Sequence, residues 1–239
     1  MTSLHDNPFI RLQFFLTQPY ACSYLPDRYA RSLVAAPSGA INATVYGELI
    51  NQGFRRSGLH TYRPQCDDCR GCVPVRIPVD ELALDRSQRR TLERNRHLAV
   101  EILPLRYLEE HYQLYRRYQA TRHTGGGMDQ DDRGQYGQFL LQSHVDSFLA
   151  EFREDGVLRM VSLVDRVPQG LSAVYTFFDP ERPKAGYGVY SVLWLTALCR
   201  EMRLPYLYLG YWIADCRKMA YKIHYQPLEG LADGTWRRL

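Results

Sequence analysis

LRMVSLVDRVPQGLSAVYTFFDP, residues 158–180, decides how the chain is put together. Residues 158–167 are rich in β-branched and large apolar side chains and read as a strand; residues 170–180 read as its partner, joined through the turn at Pro168–Gly170. Downstream, residues 188–203 predict a helix, YLYLGY (206–211) a strand, 217–225 a short helix, and the remainder an extended piece. Upstream, Leu105, Leu108, Tyr112, Tyr115 and Tyr118 recur at core-facing helical spacing across 105–122. A Gly-rich acidic loop runs from Thr124 to Arg133. Hairpin, helix, strand, helix, strand is an α/β (α+β) pattern with a mostly antiparallel sheet.

The first part of the chain reads as a smaller α+β module. A strand is expected at 9–16, a Pro/Tyr/Cys turn at 19–26, and a helix carrying Ile41, Val45, Leu49 and Ile50 that Gly53 stops. Short strands at 54–58, 59–64 and 73–79, an Arg-rich helix at 86–96 and a strand at 98–103 follow. The boundary is expected at residue 103, giving a module of residues 1–103 and a second domain of residues 104–239. With 239 residues, 45% of them hydrophobic and 23% charged, the chain can bury a proper core, which excludes intrinsic disorder. The longest apolar stretch, Tyr190 to Cys199, is broken by Ser191 and Thr196 and reaches about half the ~20 residues a membrane span needs. Asp6, Pro8 and Arg11 interrupt any early apolar run, so no signal peptide is expected. The expectation is a cytoplasmic protein with no membrane partner.

The net charge of +4 is unevenly placed. Residues 1–96 hold 13 basic and 9 acidic side chains, residues 97–239 hold 17 of each. All but Lys184, Lys218 and Lys222 of the basic residues are Arg, whose flat fork grips carboxylates and phosphates bidentately. Genome composition is the favoured source of the overall arginine preference, so the position of each Arg matters more than the number. Arg86, Arg89, Arg90, Arg94 and Arg96 face a single acid, Glu93, within one run. On a helix, 86, 90 and 94 form a basic stripe whose mutual repulsion an external phosphate would relieve. An isolated stripe of this kind is often just a solvated face; Arg55, Arg56, Tyr62 and Arg63 in the same module favour RNA.

Cys66-x-x-Cys69-x-x-Cys72 has the spacing that turns thiolates onto one ion or cluster, and Asp67, Asp68 and Gly71 permit the turn. Cys22 is the candidate fourth ligand for a structural zinc or iron–sulfur site. The alternative is a set of reduced thiols left from a lost site. Cys199 and Cys216 read as packing residues. The segment from Leu209 to Lys222 joins a strand end to a helix start, where α/β domains bind ligands. Lys218 and Lys222 are one turn apart and able to share an anion, while Tyr211, Trp212 and Tyr221 offer surfaces for a nucleobase. The alternative is a helix with two solvated lysines. His123, before Gly125-Gly126-Gly127, is either a proton acceptor or a helix cap.

Taken together, these residues resemble the arginyl-tRNA–protein transferase family, in particular its bacterial branch, the aspartate/glutamate leucyltransferases. The resemblance runs from Cys22-Ser-Tyr24 through nearly the whole chain. It includes Gly53-Phe-Arg-Arg-Ser-Gly58, Tyr62-Arg-Pro64, Val73-Pro-Val-Arg-Ile-Pro78, Arg86-Ser-Gln-Arg-Arg90, Tyr118-Gln119 with His123, Ser172 to Pro180, and Leu209 to Lys222. Tyr187 departs from it, standing where the family more often has Leu. The resemblance implies a GNAT-like acyltransferase domain bearing the smaller N-terminal Cys-containing module. It implies transfer of leucine from Leu-tRNA to the α-amine of proteins beginning with Asp or Glu, marking them for proteolysis. An arginyl donor is the alternative; its pocket would need a carboxylate, a leucyl pocket apolar walls.

Such a donor ester is already activated, so no nucleotide cofactor is expected, and no P-loop occurs in the sequence. The α-amine, with a pKa of about 7.7–8.0, is partly neutral near pH 7, leaving the enzyme to position, remove a proton and hold an oxyanion. On this reading His123 and Lys218 are catalytic. Arg55, Arg56, Tyr62, Arg63, Tyr211, Trp212, Tyr221 and Lys222 bind substrate, Arg86, Arg89, Arg90 and Arg94 bind tRNA, and Cys22, Cys66, Cys69 and Cys72 bind metal. Two rivals exist. A CoA-dependent GNAT acetyltransferase would use Pro183-Lys-Ala-Gly186-Tyr-Gly188 as its pyrophosphate loop, with Pro183 where that motif opens on Gln or Arg. A non-catalytic RNA-binding protein would bind charged and uncharged tRNA alike.

Overall fold

The computed structural model describes residues 11–122 and 132–239. The hairpin expected at 158–180 is present as β10 (Val157–Val167) and β11 (Gly170–Phe178). It sits in an eight-stranded sheet with β7 (Val73–Pro78), β8 (Ala99–Leu103), β9 (Ser147–Glu154), β12 (Tyr206–Trp212), β13 (Glu229–Ala232) and β14 (Thr235–Arg238). The order is β14-β13-β7-β12-β11-β10-β9-β8. Every pair is antiparallel except β11 with β12. A second, four-stranded sheet has the order β1-β4-β6-β5, from β1 (Gln13–Leu16), β4 (Ser32–Ala36), β5 (Arg55–Ser57) and β6 (His60–Pro64). The turn expected at 19–26 carries the short pair β2 (Tyr20–Ala21) and β3 (Tyr29–Ala30). The architecture is mixed α/β around one large mixed sheet. The boundary expected at residue 103 falls just after β8, and β7 and β8, which precede it, are strands of that large sheet.

Side chains alternate across a strand, and here each side of the sheet meets its own helices. Phe148, Ala150, Phe152, Met160, Val164, Leu207 and Leu209 pack with Leu193, Leu195 and Cys199 of α5 (Tyr187–Glu201). On the other side, Leu149, Val161, Leu163 and Phe177 pack with Tyr112, Leu114 and Tyr115 of α3 (Glu109–Arg122). Tyr208, pointing away from Leu207 and Leu209, joins Tyr46, Leu49 and Ile50 of α1 (Ala43–Asn51). The Arg-rich helix α2 (Arg86–Asn95) starts at a capping box between Asp85 and Gln88 and packs on α5. A short helix at 133–136, here α4, continues into a π-helical turn at 137–141. The helix expected at 217–225 divides into α6 (Arg217–Ala220) and a 3₁₀ turn at 221–224. No helix among the described residues is long and apolar enough to cross a membrane.

Candidate functional site

The single parallel pair opens the site. β11 and β12 pair only at Gly170–Tyr206, Leu171–Leu207 and Ser172–Tyr208. β11 then runs on to Phe178 and β12 to Trp212, still bonded to β7, so the two strands diverge and leave a wedge. Gly170 permits the closed end: a Cβ there would lie 2.1 Å from the Tyr206 carbonyl oxygen. At the point of divergence the carbonyl of Ala173 no longer meets a β12 donor, and a buried carbonyl must be satisfied. Arg55 satisfies it. Its Nη2 donates to Ala173 O at 2.7 Å and its Nη1 to Ser172 Oγ at 3.0 Å. The guanidinium comes this close because β12 is bulged at Tyr208/Gly210. Gly210 has φ +79°, and a Cβ on it would lie 3.3–3.4 Å from Nε, Cζ and Nη2 of Arg55.

Around Arg55 the sequence-predicted residues divide into two groups. Tyr211 is buried and donates its hydroxyl to Gly53 O at 2.9 Å. Lys222 is buried, and its Nζ donates to Tyr211 O at 2.5 Å. Tyr62 lies close to Arg55, and burial raises its phenol. Trp212 is half-buried, its Nε1 donating to Ala220 O at 3.1 Å. Lys218 is exposed on α6 (Arg217–Ala220), and Tyr221, also exposed, has its phenol near enough to Tyr118 of α3 to feel its charge. Tyr118 and Arg122, against the ring of Phe178, form the opposite wall.

Arg56 and Arg63 serve other ends than the expected cationic surface. The Arg56 side chain is inside the protein, paired with Asp165 through Nε at 2.8 Å and Nη2 at 2.5 Å, and bonded to Gly58 O and Ser147 Oγ. It ties β5 to β10 and has no face to offer a ligand. Arg63 covers Phe54 and donates to Gln52 O at the end of α1. The α2 arginines Arg86, Arg89, Arg90 and Arg94 are exposed. Arg89 and Arg94 cap the carbonyls of Leu84 and Lys184, whereas Arg86 and Arg90 have no protein partner among the described residues. His123 lies outside the described residues.

Cys22, Cys66, Cys69 and Cys72 are half-buried and free of disulfides. They gather: burial pushes the Cys72 thiol up to about 12, with Cys22, Cys66, Cys69 and Cys216 adding to the effect. The four cysteines thus share one neighbourhood. Yet among the described residues no three His, Cys, Asp or Glu side chains converge as a metal-holding group. The donor set does not fit a zinc or iron–sulfur site in this arrangement, and no chemistry is assigned through one.

Three residues around Arg55 have no site role assigned from the sequence: Ser172 and Gly210, whose roles depend on strands diverging, and Tyr24, which is near Arg55, Tyr62 and Cys72. The Gly within Tyr-Leu-Gly-Tyr was the one available signal, since an isolated Gly in a strand marks a bulge or a close approach.

Family models match two parts of the chain: "Arginine-tRNA-protein transferase, N terminus" over residues 20–90 and "Arginine-tRNA-protein transferase, C terminus" over residues 110–232. The aspartate/glutamate leucyltransferase of Nitrosospira multiformis is 59% identical over 239 residues, covering 100% of this chain and 95% of that protein. That of Thiobacillus denitrificans is 57% identical, covering 98% of each. Among solved structures, the C-terminal domain (DUF2156) of a putative lysylphosphatidylglycerol synthetase from Agrobacterium fabrum is similar at a TM-score of 0.46 and 15% identity, over 73% of this chain and 52% of that one. On the two family matches and the whole-length identity, this chain belongs to the arginine-tRNA-protein transferase family.

Proposed function

We propose that the protein is an aspartate/glutamate leucyltransferase, moving leucine from Leu-tRNA to the α-amine of proteins that begin with Asp or Glu and so marking them for proteolysis. Relatives with that name match it over 95% and 98% of their own length. The observation in the fold that carries the reading is the wedge between β11 and β12, with two cations, Arg55 and Lys222, at its inner end and no carboxylate paired with either among the described residues. A site of that charge selects an acceptor bearing a negative side chain.

The diverging parallel pair, flanked by α3 and α5, is the basis for reading residues 104–239 as a GNAT-like acyltransferase domain. Residues 1–103 contribute Arg55, Tyr62, the cysteine turn and α2. The donor ester is cleaved by attack of the neutral α-amine on its carbonyl carbon. A C–N bond forms, the bond to the ribose oxygen breaks, and the amine proton leaves as that oxygen takes one up. The chain's part is to hold the two reactants together, worth several kcal/mol by itself. Lys218 and Tyr221, exposed at the mouth, with Trp212 behind them, receive the acceptor end of the tRNA. Arg86 and Arg90 of α2, which have no protein partner among the described residues, meet its backbone. His123 is the proposed proton acceptor. The test is incubation with labelled leucyl- or arginyl-tRNA and peptides starting with Asp, Glu or Ala. Leucine incorporated only into the Asp and Glu peptides supports the reading. Label on the Ala peptide, or none anywhere, overturns it, and preferential use of arginyl-tRNA overturns the leucyl donor.

A further inference from the structure

An acidic side chain entering the wedge meets an unusual pair of groups, and this inference, about how it is taken in, rests on the function proposed above. The two cations sit on successive residues of the β12 bulge. Arg55 lies against Gly210, and Lys222 holds the carbonyl of Tyr211. The neighbouring Arg56 has its carboxylate, Asp165; Arg55 and Lys222 have none among the described residues. Lys222 is 5% exposed. An ammonium has three N–H bonds to place. Here it finds one oxygen, Tyr211 O, then the Met219 sulfur at 3.7 Å and the ring of Tyr221 with its centroid at 5.9 Å.

Among the described residues, no element packed around Lys222 turns a carboxylate toward it. β5 supplies Arg55, the approach to β7 supplies Cys72, β12 supplies Tyr211, and the turn into α6 supplies Cys216 and Met219. Burial, followed by Arg55, lowers Lys222 to about 7; Cys216 and Cys72 act in the opposite sense. A buried amine placed like this either sheds its proton or recruits an anion.

We propose that Arg55 and Lys222 together form the receptor for the side-chain carboxylate of the incoming N-terminal Asp or Glu, and that filling it puts a proton on Lys222. The carboxylate replaces the acceptors Lys222 lacks and screens it from Arg55. An Asn or Gln side chain has the same shape but brings no charge, so it neither returns a proton to Lys222 nor offsets the buried Arg55; the site rejects amides for that reason. Binding of the acidic terminus is thereby tied to proton uptake, and affinity falls as pH rises above neutrality.

The chain has three lysines, Lys184, Lys218 and Lys222, and the first two are exposed. Protein carrying ¹³C at the lysine Cε therefore gives three resonances, assigned with K184R and K218R, and the titration is read on the wild-type protein. The expected result is one resonance with a midpoint near neutrality. A saturating Asp-initiated peptide moves that midpoint up by about two pH units, a hundredfold gain in proton affinity, and the Asn-initiated peptide leaves it in place. If Asp peptides are leucylated while the Lys222 midpoint stays put, the receptor lies elsewhere and this proposal falls while the function stands. If neither Asp nor Glu peptides are accepted, the function itself falls and takes the proposal with it.

Discussion

Replacing Lys222 by Met is expected to stabilise the protein at neutral and acid pH and to remove part of its pH dependence. The side chain is of similar length and unbranched, so the packing around Met219 and Tyr221 is nearly kept. What changes is the charge. Burial first, and then Arg55, holds Lys222 at about 7 against an ordinary 10.5, a difference worth about 5 kcal/mol of opposition to the folded, charged form. Losing the hydrogen bond to Tyr211 O costs about 1–3 kcal/mol, so the variant gains roughly 2–4 kcal/mol at pH 6. The sign of the pH dependence follows from linkage. Between about pH 7 and 10.5 the unfolded chain keeps a proton on this amine that the folded chain has released, so wild-type stability rises with pH there, by up to about 1.4 kcal/mol per pH unit. Below pH 7 both states are protonated and the full cost persists. From pH 7 to 9 the advantage of Lys222→Met should shrink by about 2 kcal/mol. Urea unfolding of both proteins at pH 6, 7, 8 and 9 measures it, and subtracting the two curves cancels all other titrations. An advantage that is flat with pH, or grows with it, refutes the reasoning.

Asp165→Asn strands Arg56 inside the protein and should cost about 3–5 kcal/mol in a denaturant melt. Gly210→Ala forces φ +79° on an L-residue and crowds the Arg55 guanidinium; a stability loss of about 1–2 kcal/mol with a larger loss of transfer activity is expected, and unchanged activity would show that Arg55's position is immaterial. With both Arg86 and Arg90 changed to Ala, tRNA affinity should fall and the slope of log affinity against log salt should flatten by about 1.4–1.8, with the thermal melt unaltered. At pH 8 Cys72 should react with iodoacetamide far more slowly than a free thiol, since about one part in ten thousand is thiolate; rapid labelling read by peptide mass spectrometry would contradict its burial.

The second half of the chain was legible where its patterns are local. The hairpin at 158–180, the apolar helix after it and YLYLGY all lie within a residue or two of β10, β11, α5 and β12. β9 was not read, because Phe148 to Phe152 are buried on both sides and show no alternation. Glu151 breaks the apolar run only on paper: it is held inside by His111 at 2.5 Å and by Arg153. The association of β7 and β8 with the large sheet was equally invisible, since strand partners far apart in sequence leave no local trace. At the site, charge was legible and its use was not. Arg55 and Arg56 are adjacent and alike in sequence, but strand alternation sends one to the opening between β11 and β12 and the other to Asp165, 109 residues away. Lys218 and Lys222 share helical spacing, but the helix tightens after Ala220, leaving one lysine in solvent and turning the other inward.

The central claim is that an activated leucyl ester and an acidic chain end are held together in this wedge. A single-turnover reaction with radiolabelled Leu-tRNA measures it most directly, following label from RNA to an Asp-initiated peptide and to its Ala-initiated counterpart. The expected result is rapid appearance of label at the N-terminus of the Asp peptide alone, abolished by Lys218→Glu in a protein of unchanged thermal melt. Equal rates for the two peptides, or release of free leucine with no peptide labelled, would contradict the account.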